Sequence, residues 1–190
     1  KQHITKEFDN KEEFELNWVE ASAHPIGAVG LWNSMIKIIK MAKEKGDDII
    51  VICEDDHYFT ENYSPKLLFK EVTEAYIQGA EVLSGGIGGF GQAIPAGYHR
   101  YKVDWFWCTQ FIVIYNRFFD KMLDYSFQNT DTADGVISKL ATNIMVIYPF
   151  ISEQKDFGYS DVTQSNMEQQ GKIREHFARA NKHMKSISLK

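Results

Sequence analysis

The sequence has 190 residues and a mass of 21.9 kDa, with 44% apolar residues, 25% charged residues and a net charge of −5. This composition excludes collagen-like, mucin-like and wholly disordered chains. The acidic balance argues against a general nucleic-acid binder, and no apolar run reaches the roughly 18 residues that cross a bilayer. We therefore expect one folded domain.

The two cysteines indicate the compartment. Cys53 and Cys108 lie in apolar, strand-like stretches, and no Cys/His spacing typical of a zinc site is present. The first residues also lack the apolar core of a secretory signal. We therefore expect two free thiols, a reducing compartment and a cytoplasmic protein.

Strand and helix patterns alternate along the chain. A short strand is predicted over 14–20, an amphipathic helix over 26–45, and a buried parallel strand over the continuous apolar run 48–53. The later elements are a helix over 64–79, a strand over 80–84, one long strand over 103–115, a helix over 117–124, a helix that begins at Asp131 or Thr132 and ends near 142, and a strand over 144–148.

This alternation predicts an α/β fold in which helices flank a mostly parallel sheet. We place a single domain over 1–162 and a basic C-terminal helix or tail over 163–190. This last segment contains six basic residues and two acidic ones. The tail is either a solvated terminal helix or a peripheral contact to an anionic membrane or a phosphate-bearing acceptor.

Three adjacent carboxylates, Glu54, Asp55 and Asp56, follow the strand over 48–53. Like charges at the end of a buried strand are costly unless a cation or solvent relieves them. Carboxylate oxygens suit Mg²⁺ or Mn²⁺, which is then shared with the phosphates of a substrate. The alternative is a solvated acidic turn.

A glycine-rich loop follows the strand over 80–84. It contains Gly85, Gly86, Gly88 and Gly89, and glycine allows close approach of the backbone to a ligand. It matches neither a Walker loop nor the dinucleotide fingerprint. The loop either closes over a sugar or phosphate or is a flexible turn.

Two further pairs of residues are candidates for the site. Trp107 is a candidate for stacking on a sugar and Gln110 for binding hydroxyls, although most aromatic residues of this stretch suit a core strand. Asp131 and Asp134 lie at a predicted helix start, where one caps the helix and the other is available as a general base.

Four segments form an ordered set along the chain. They are Gly27–Ser34 with its Gly-x-x-Gly-x-x-x-Ser pattern, Ile50–Asp56 followed by Phe59, Thr109–Ile114 followed by Arg117 and Phe118, and Pro149–Asp161 with Gln154, Ser160 and Asp161. In order and spacing they resemble the motifs of GT-A-fold glycosyltransferases, most closely the lipopolysaccharide-type family 25 glycosyltransferases.

This resemblance implies a GT-A-like, Rossmann-like fold and transfer of a sugar from a nucleotide sugar, foremost a UDP-sugar, to a hydroxyl of a glycan or lipid-linked glycan. It implies that Asp56, with Glu54, holds Mn²⁺ or Mg²⁺ on the donor diphosphate, and that Glu54 and Asp55 contact the ribose or donor sugar. Enzymes of this family invert the configuration at the anomeric carbon in one displacement, so one general base is needed. We assign this role to Asp134, with Asp131 as the alternative.

Two other interpretations stay open. The chain is alternatively a degenerate, non-catalytic carbohydrate-binding or scaffold protein on the same fold. A third interpretation is a metal-dependent phosphate-transfer enzyme that uses the same acidic edge.

Overall fold

The computed structural model describes residues 2–157 and 171–188. The helices are α1 Gln2–Glu7, α2 Gly27–Lys45, α3 Pro65–Ile77, α4 Asn116–Leu123, α5 Ala133–Leu140 and α6 Lys172–Ser188. The strands are β1 Ile49–Cys53, β2 His57–Phe59, β3 Val82–Ser84, β4 Ala93–Pro95, β5 Arg100–Val103, β6 Phe111–Tyr115, β7 Ile144–Ile147 and β8 Ser152–Gln154. The predicted α/β class, with helices flanking one central sheet, is confirmed.

The central sheet has six strands in the order β1-β6-β3-β7-β5-β4, and β2 pairs with β8 in a separate two-stranded sheet. Within the described ranges only β3 and β7 pair in parallel, and the other neighbours in the large sheet are antiparallel. The expectation that most neighbouring strands pair in parallel is therefore wrong. Strands β1, β3, β7 and β4 nevertheless point in one direction, because β6 and β5 are the reversed strands.

Strand β1 explains the error. It lies at one end of the strand order and pairs antiparallel with β6. Ile50 and Ile52 belong to the core on the α2 side of the sheet, whereas Val51 and Cys53 pack with the core on the α1 and α3 side. A strand covered on both faces has a continuous apolar sequence whatever the direction of its neighbour.

Two strand predictions fail. Residues 14–20 form no strand, and Phe14 instead packs against the rings of Phe8 and Phe111. The long strand over 103–115 is divided into β5 and β6 by residues 104–110, where Cys108 has a φ of 77°. A residue with positive φ interrupts a strand, so the aromatic run marks a loop and a strand rather than a single strand.

Local capping determines the confirmed helices. Helix α2 ends at Gly46, which has a φ of 76°, and the Ser64 hydroxyl accepts a hydrogen bond from the Leu67 amide at the start of α3. At α5 the Thr132 hydroxyl accepts from the Gly135 amide at 3.3 Å. Thr132, and not Asp131, is therefore the N-cap of α5.

Helix α6 is the predicted basic C-terminal helix. It buries Phe177, Ala180 and Met184 in the core on the α2 side, and its Arg179 and Lys182 are exposed. The proposed boundary at 162/163 lies outside the described residues. No helix in the described ranges is long and apolar enough to cross a membrane, and contact of α6 with a membrane surface stays a prediction.

Candidate functional site

The predicted acidic residues lie where strands of the central sheet end. Glu54 follows β1, and Gly85 follows β3 at the same edge of the sheet because these strands share a direction. The reversed strand β6 begins there, and Thr109 and Gln110 precede it. The sheet therefore brings the acidic triplet, the glycine-rich loop and the segment before β6 together.

Glu54 is held in a partly buried position. Its amide donates to the Gln110 carbonyl at 3.0 Å, and its carboxylate accepts a hydrogen bond from the Thr109 hydroxyl at 2.5 Å. Burial, followed by the nearby charge of Asp56, raises the pKa of Glu54 to about 8, against the lowering effect of the Thr109 hydrogen bond. Without a cation, Glu54 is therefore mostly protonated at neutral pH.

Asp56 lies beside the small sheet formed by β2 and β8. Its Oδ2 accepts from the Gln154 amide at 2.6 Å, and its carbonyl accepts from the Lys155 amide at 2.7 Å. Its Oδ1 is buried and has no hydrogen-bond partner among the described residues. Burial raises the pKa of Asp56 to about 6, while the hydrogen bond from Gln154 opposes the rise. The side chain of Asp55, between them, is exposed.

These carboxylates fit one kind of cation site. In the described ranges no group of three or more His, Cys, Asp or Glu residues is arranged to hold a metal ion. Mg²⁺ is commonly bound by one or two carboxylates together with substrate phosphates. The unpartnered Oδ1 of Asp56 and the raised pKa values of Glu54 and Asp56 fit such a shared site, and not a cage built from protein alone. Ser160 and Asp161 of the closing motif lie outside the described residues.

The structure separates the two candidate bases. Asp134 lies close enough to Glu54 to contribute to its raised pKa, and it accepts hydrogen bonds from the amides of Cys108 at 3.2 Å and Gly135 at 2.8 Å. Asp131 accepts instead from the Tyr125 hydroxyl at 3.1 Å and the Gln128 amide at 2.8 Å. Asp134 thus faces the acidic site, whereas Asp131 stabilises the turn before α5.

The glycine-rich loop is packed against protein on several sides. A Cβ added to Gly86 would lie 1.9 Å from the Ser152 carbonyl oxygen, and one added to Gly85 would lie 2.8 Å from the Phe111 ring. The corresponding distances are 2.7 Å from the Cys108 sulfur at Gly88 and 2.6 Å from the Trp107 ring at Gly89. Close packing therefore explains these four glycines, and their contact with a ligand stays a prediction.

Trp107 and Gln110 have different environments. Trp107 is 46% exposed and its ring lies edge-on to His176 of α6 at 5.5 Å. Gln110 is only 1% exposed, so the expectation that it faces a ligand is wrong for the isolated chain. Its amide donates to the Gly86 carbonyl at 3.0 Å and to the Ser152 hydroxyl at 3.2 Å, which ties the glycine-rich loop to β8.

A buried network supports Asp56 from the next residue in the chain. His57 is fully buried, and its Nδ1 lies 2.8 Å from the Ser152 hydroxyl. Burial lowers the pKa of His57 to about 3, so the ring is neutral. No local sequence pattern indicates this network or the role of Thr109, because residues far apart in the chain meet only when β2 pairs with β8 and β1 with β6.

Two solved structures of UDP-glucose pyrophosphorylase are similar to this chain. The apo form aligns with a TM-score of 0.45 and 10% identity, over 81% of this chain and 61% of its own length. The form complexed with UDP-glucose aligns with a TM-score of 0.49 and 10% identity, over 95% of this chain and 72% of its own length. No protein-family model matches the chain, and no curated protein matches it significantly. Likenesses of this size decide neither a family nor an activity.

Proposed function

We propose that this protein is a metal-dependent, inverting glycosyltransferase. It moves a sugar from a nucleotide sugar, foremost a UDP-sugar, to a hydroxyl of a glycan or lipopolysaccharide precursor in the cytoplasm. One observation carries the proposal: Glu54 and Asp56 are both partly buried at the sheet edge and have raised pKa values, and one buried Asp56 oxygen has no hydrogen-bond partner among the described residues. This arrangement suits a divalent cation on a diphosphate.

The acidic triplet holds the donor in this proposal. Asp56 and Glu54 bind Mn²⁺ or Mg²⁺, which neutralises the charge that develops on the departing nucleoside diphosphate. Gln154 fixes one carboxylate oxygen of Asp56 through its hydrogen bond at 2.6 Å and leaves the other available. Asp55 is exposed and, with Glu54, contacts the ribose or the donor sugar.

Asp134 acts as the base in a single displacement. The acceptor oxygen attacks the anomeric carbon as the bond from that carbon to the diphosphate oxygen breaks. The hydroxyl proton passes to the carboxylate of Asp134, which the Cys108 and Gly135 amides keep in one orientation. The half-exposed Trp107 offers a ring face to the sugar.

A second candidate is a degenerate, non-catalytic carbohydrate-binding protein. The observation in its favour is that residues 2–157 and 171–188 contain no group of three metal-ligating side chains. This candidate predicts sugar binding that neither Mn²⁺ nor a chelator changes.

The deciding experiment is a calorimetric titration of a panel of nucleotide sugars with and without Mn²⁺, on the wild type and on Asp56→Asn. Ligand at 100 times its dissociation constant adds about 2.7 kcal/mol of stability, so thermal shift is a second readout. We expect Mn²⁺-dependent binding in the wild type and its loss in Asp56→Asn. The matched control is Asp9→Asn, which removes an exposed carboxylate after α1.

Each other outcome has a defined meaning. Unchanged affinity in Asp56→Asn with Mn²⁺ present contradicts the proposed metal site. Sugar binding that ignores both Mn²⁺ and chelator supports the non-catalytic candidate. Release of nucleoside diphosphate only when a sugar acceptor is present supports glycosyl transfer and excludes the phosphate-transfer interpretation.

A further inference from the structure

A cavity adjoins the region of Asp56 through Gln154. It has a volume of about 350 Å³ and lies between α1, the small sheet of β2 and β8, and the start of α6. Gln154 lines this cavity and also donates to the carboxylate of Asp56. Ligand pockets typically have volumes of about 300–1,000 Å³, so the cavity is large enough for a small ligand beside the proposed donor site.

The wall formed by α1, β2 and β8 carries hydrogen-bond acceptors. Oε2 of Glu153 accepts from the Tyr58 hydroxyl at 2.5 Å, and Oε2 of Glu7 accepts from the Phe59 amide at 3.1 Å. Each carboxylate thus has a hydrogen bond to one oxygen, and Oε1 of Glu7 also lies 3.9 Å from Nδ1 of His3. A carboxylate has roughly four acceptor positions, so both retain capacity for a ligand.

Two cationic side chains, which carry hydrogen-bond donors, also line the cavity. Arg174 belongs to the first turn of α6, and Lys155 follows β8. Among the residues that the structure describes, neither cation forms an ion pair. The Lys155 ammonium lies 5.3 Å from the centre of the Phe157 ring. Arg174 is near the Tyr58 hydroxyl, since its charge opposes the rise that burial causes in the pKa of that group.

The mixture of charges selects the class of ligand. Three carboxylates, those of Glu7, Glu153 and Asp156, line the cavity with the two cations. A phosphate dianion would meet three like charges, and an apolar molecule would desolvate donors and acceptors without pairing them. A neutral molecule with many hydroxyls pairs with both, because each hydroxyl donates one hydrogen bond and accepts two.

We propose that this cavity binds a neutral sugar residue of the acceptor glycan, with Arg174 and Glu153 as its main polar contacts. The assignment of this sugar to the acceptor rests on the proposed function, since the cavity adjoins Asp56 through Gln154. The binding of a sugar rests on the cavity alone.

The test is a titration of methyl glycosides of hexoses and N-acetylhexosamines, followed by saturation-transfer NMR and calorimetry. We expect Arg174→Ala and Glu153→Ala each to weaken binding of the best glycoside at least 10-fold. The control Arg179→Ala removes the same charge from an exposed position on the same helix and is expected to bind like the wild type.

Two results would overturn the proposal. One is a wild type that binds no glycoside of the panel, or binds one equally well in Arg174→Ala and Glu153→Ala. The other is Arg174-dependent binding of inorganic phosphate in place of glycosides, which would assign the cavity to an anion. If glycosides bind as expected but no nucleotide sugar does, the glycosyltransferase proposal fails while the sugar site stands.

Discussion

Two regions of this molecule bury charge in opposite ways. Between α3 and β5, Arg100 and Glu71 are both completely buried and form an ion pair, and the guanidinium also bonds to the Gln78 side chain at 3.0 Å. At the end of β1, Glu54 and Asp56 are partly buried near each other, and no cation of the described chain forms an ion pair with either.

The two regions differ in what their charges do for the fold. A buried pair of opposite charges fixes the position of the elements that carry it, and removing one partner leaves an uncompensated charge. Two like charges stabilise nothing by themselves, and they persist where a ligand relieves the repulsion. Under the proposed function, the acidic end of β1 is the place where the fold gives up stability for binding a cation.

The largest expected effect comes from breaking the paired region. Arg100→Met leaves the buried Glu71 carboxylate with only Lys70, 3.8 Å from its Oε1, as a charged partner, and we expect the free energy of unfolding to fall by about 3–5 kcal/mol. The double variant Arg100→Met/Glu71→Leu removes both charges and is expected to cost less than the single variant. Urea denaturation measures both.

A surface pair provides the control for this prediction. Lys43 and Asp120 form an ion pair in which both side chains are exposed, and Lys43→Ala is expected to cost no more than about 1 kcal/mol. If Arg100→Met costs as little as Lys43→Ala, the Arg100 cluster does not stabilise the fold and the contrast between the two regions disappears.

The second effect concerns the unpaired region and has the opposite sign. The fold raises the pKa of Glu54 from 4.5 to about 8, so it favours the protonated form. The contribution of Glu54 to the free energy of unfolding is therefore complete at low pH, and it is lost as the pH rises through about 8. The side chain of Glu54→Gln cannot ionise. At pH 9 we therefore expect the free energy of unfolding of this variant to be higher than that of the wild type by at least ~1 kcal/mol, which corresponds to about 2–4 °C in Tm.

Thermal unfolding at pH 5 and pH 9, with and without Mn²⁺, measures this prediction. The gain in Glu54→Gln is expected at pH 9 and not at pH 5. Added Mn²⁺ is expected to raise the Tm of the wild type at pH 9 more than that of Glu54→Gln. A variant that is equally destabilised at both pH values would show that Glu54 is a structural side chain.

The sequence predicted the helices better than the sheet. Helices α2, α3 and α5 have capping residues such as Gly46, Ser64 and Thr132, which act on their own helix and are therefore visible in sequence. The direction of β1 depends on β6, about 60 residues later, and no local pattern encodes it. The loop before β6 was hidden because Trp105 and Phe106 have the composition of a strand.

The candidate site was predicted in part for the same reason. Adjacent carboxylates after an apolar strand are a local pattern, and the structure places Glu54 close to Asp134. The contacts that hold them are not local: Gln154 reaches Asp56 from β8, 98 residues away in the chain. A glycine-rich loop was equally visible, but its fit against Ser152 and Phe111 depends on the packed fold.

The smallest expected effect tests a single hydrogen bond in the unpaired region. The Thr109 hydroxyl donates to Glu54 at 2.5 Å and favours the ionised carboxylate. Thr109→Val removes this donor with little change in volume, so the pKa of Glu54 is expected to rise further, with a loss of about 1 kcal/mol at pH 9. Carboxyl ¹³C NMR follows the titration of Glu54.

The matched control is Thr142→Val, which removes the hydroxyl that donates to Glu81 at 3.1 Å and leaves Glu54 untouched. A titration midpoint that moves only in Thr109→Val assigns the opposing effect to this hydroxyl, whereas an unchanged midpoint would mean that burial and the charge of Asp56 alone set the pKa of Glu54.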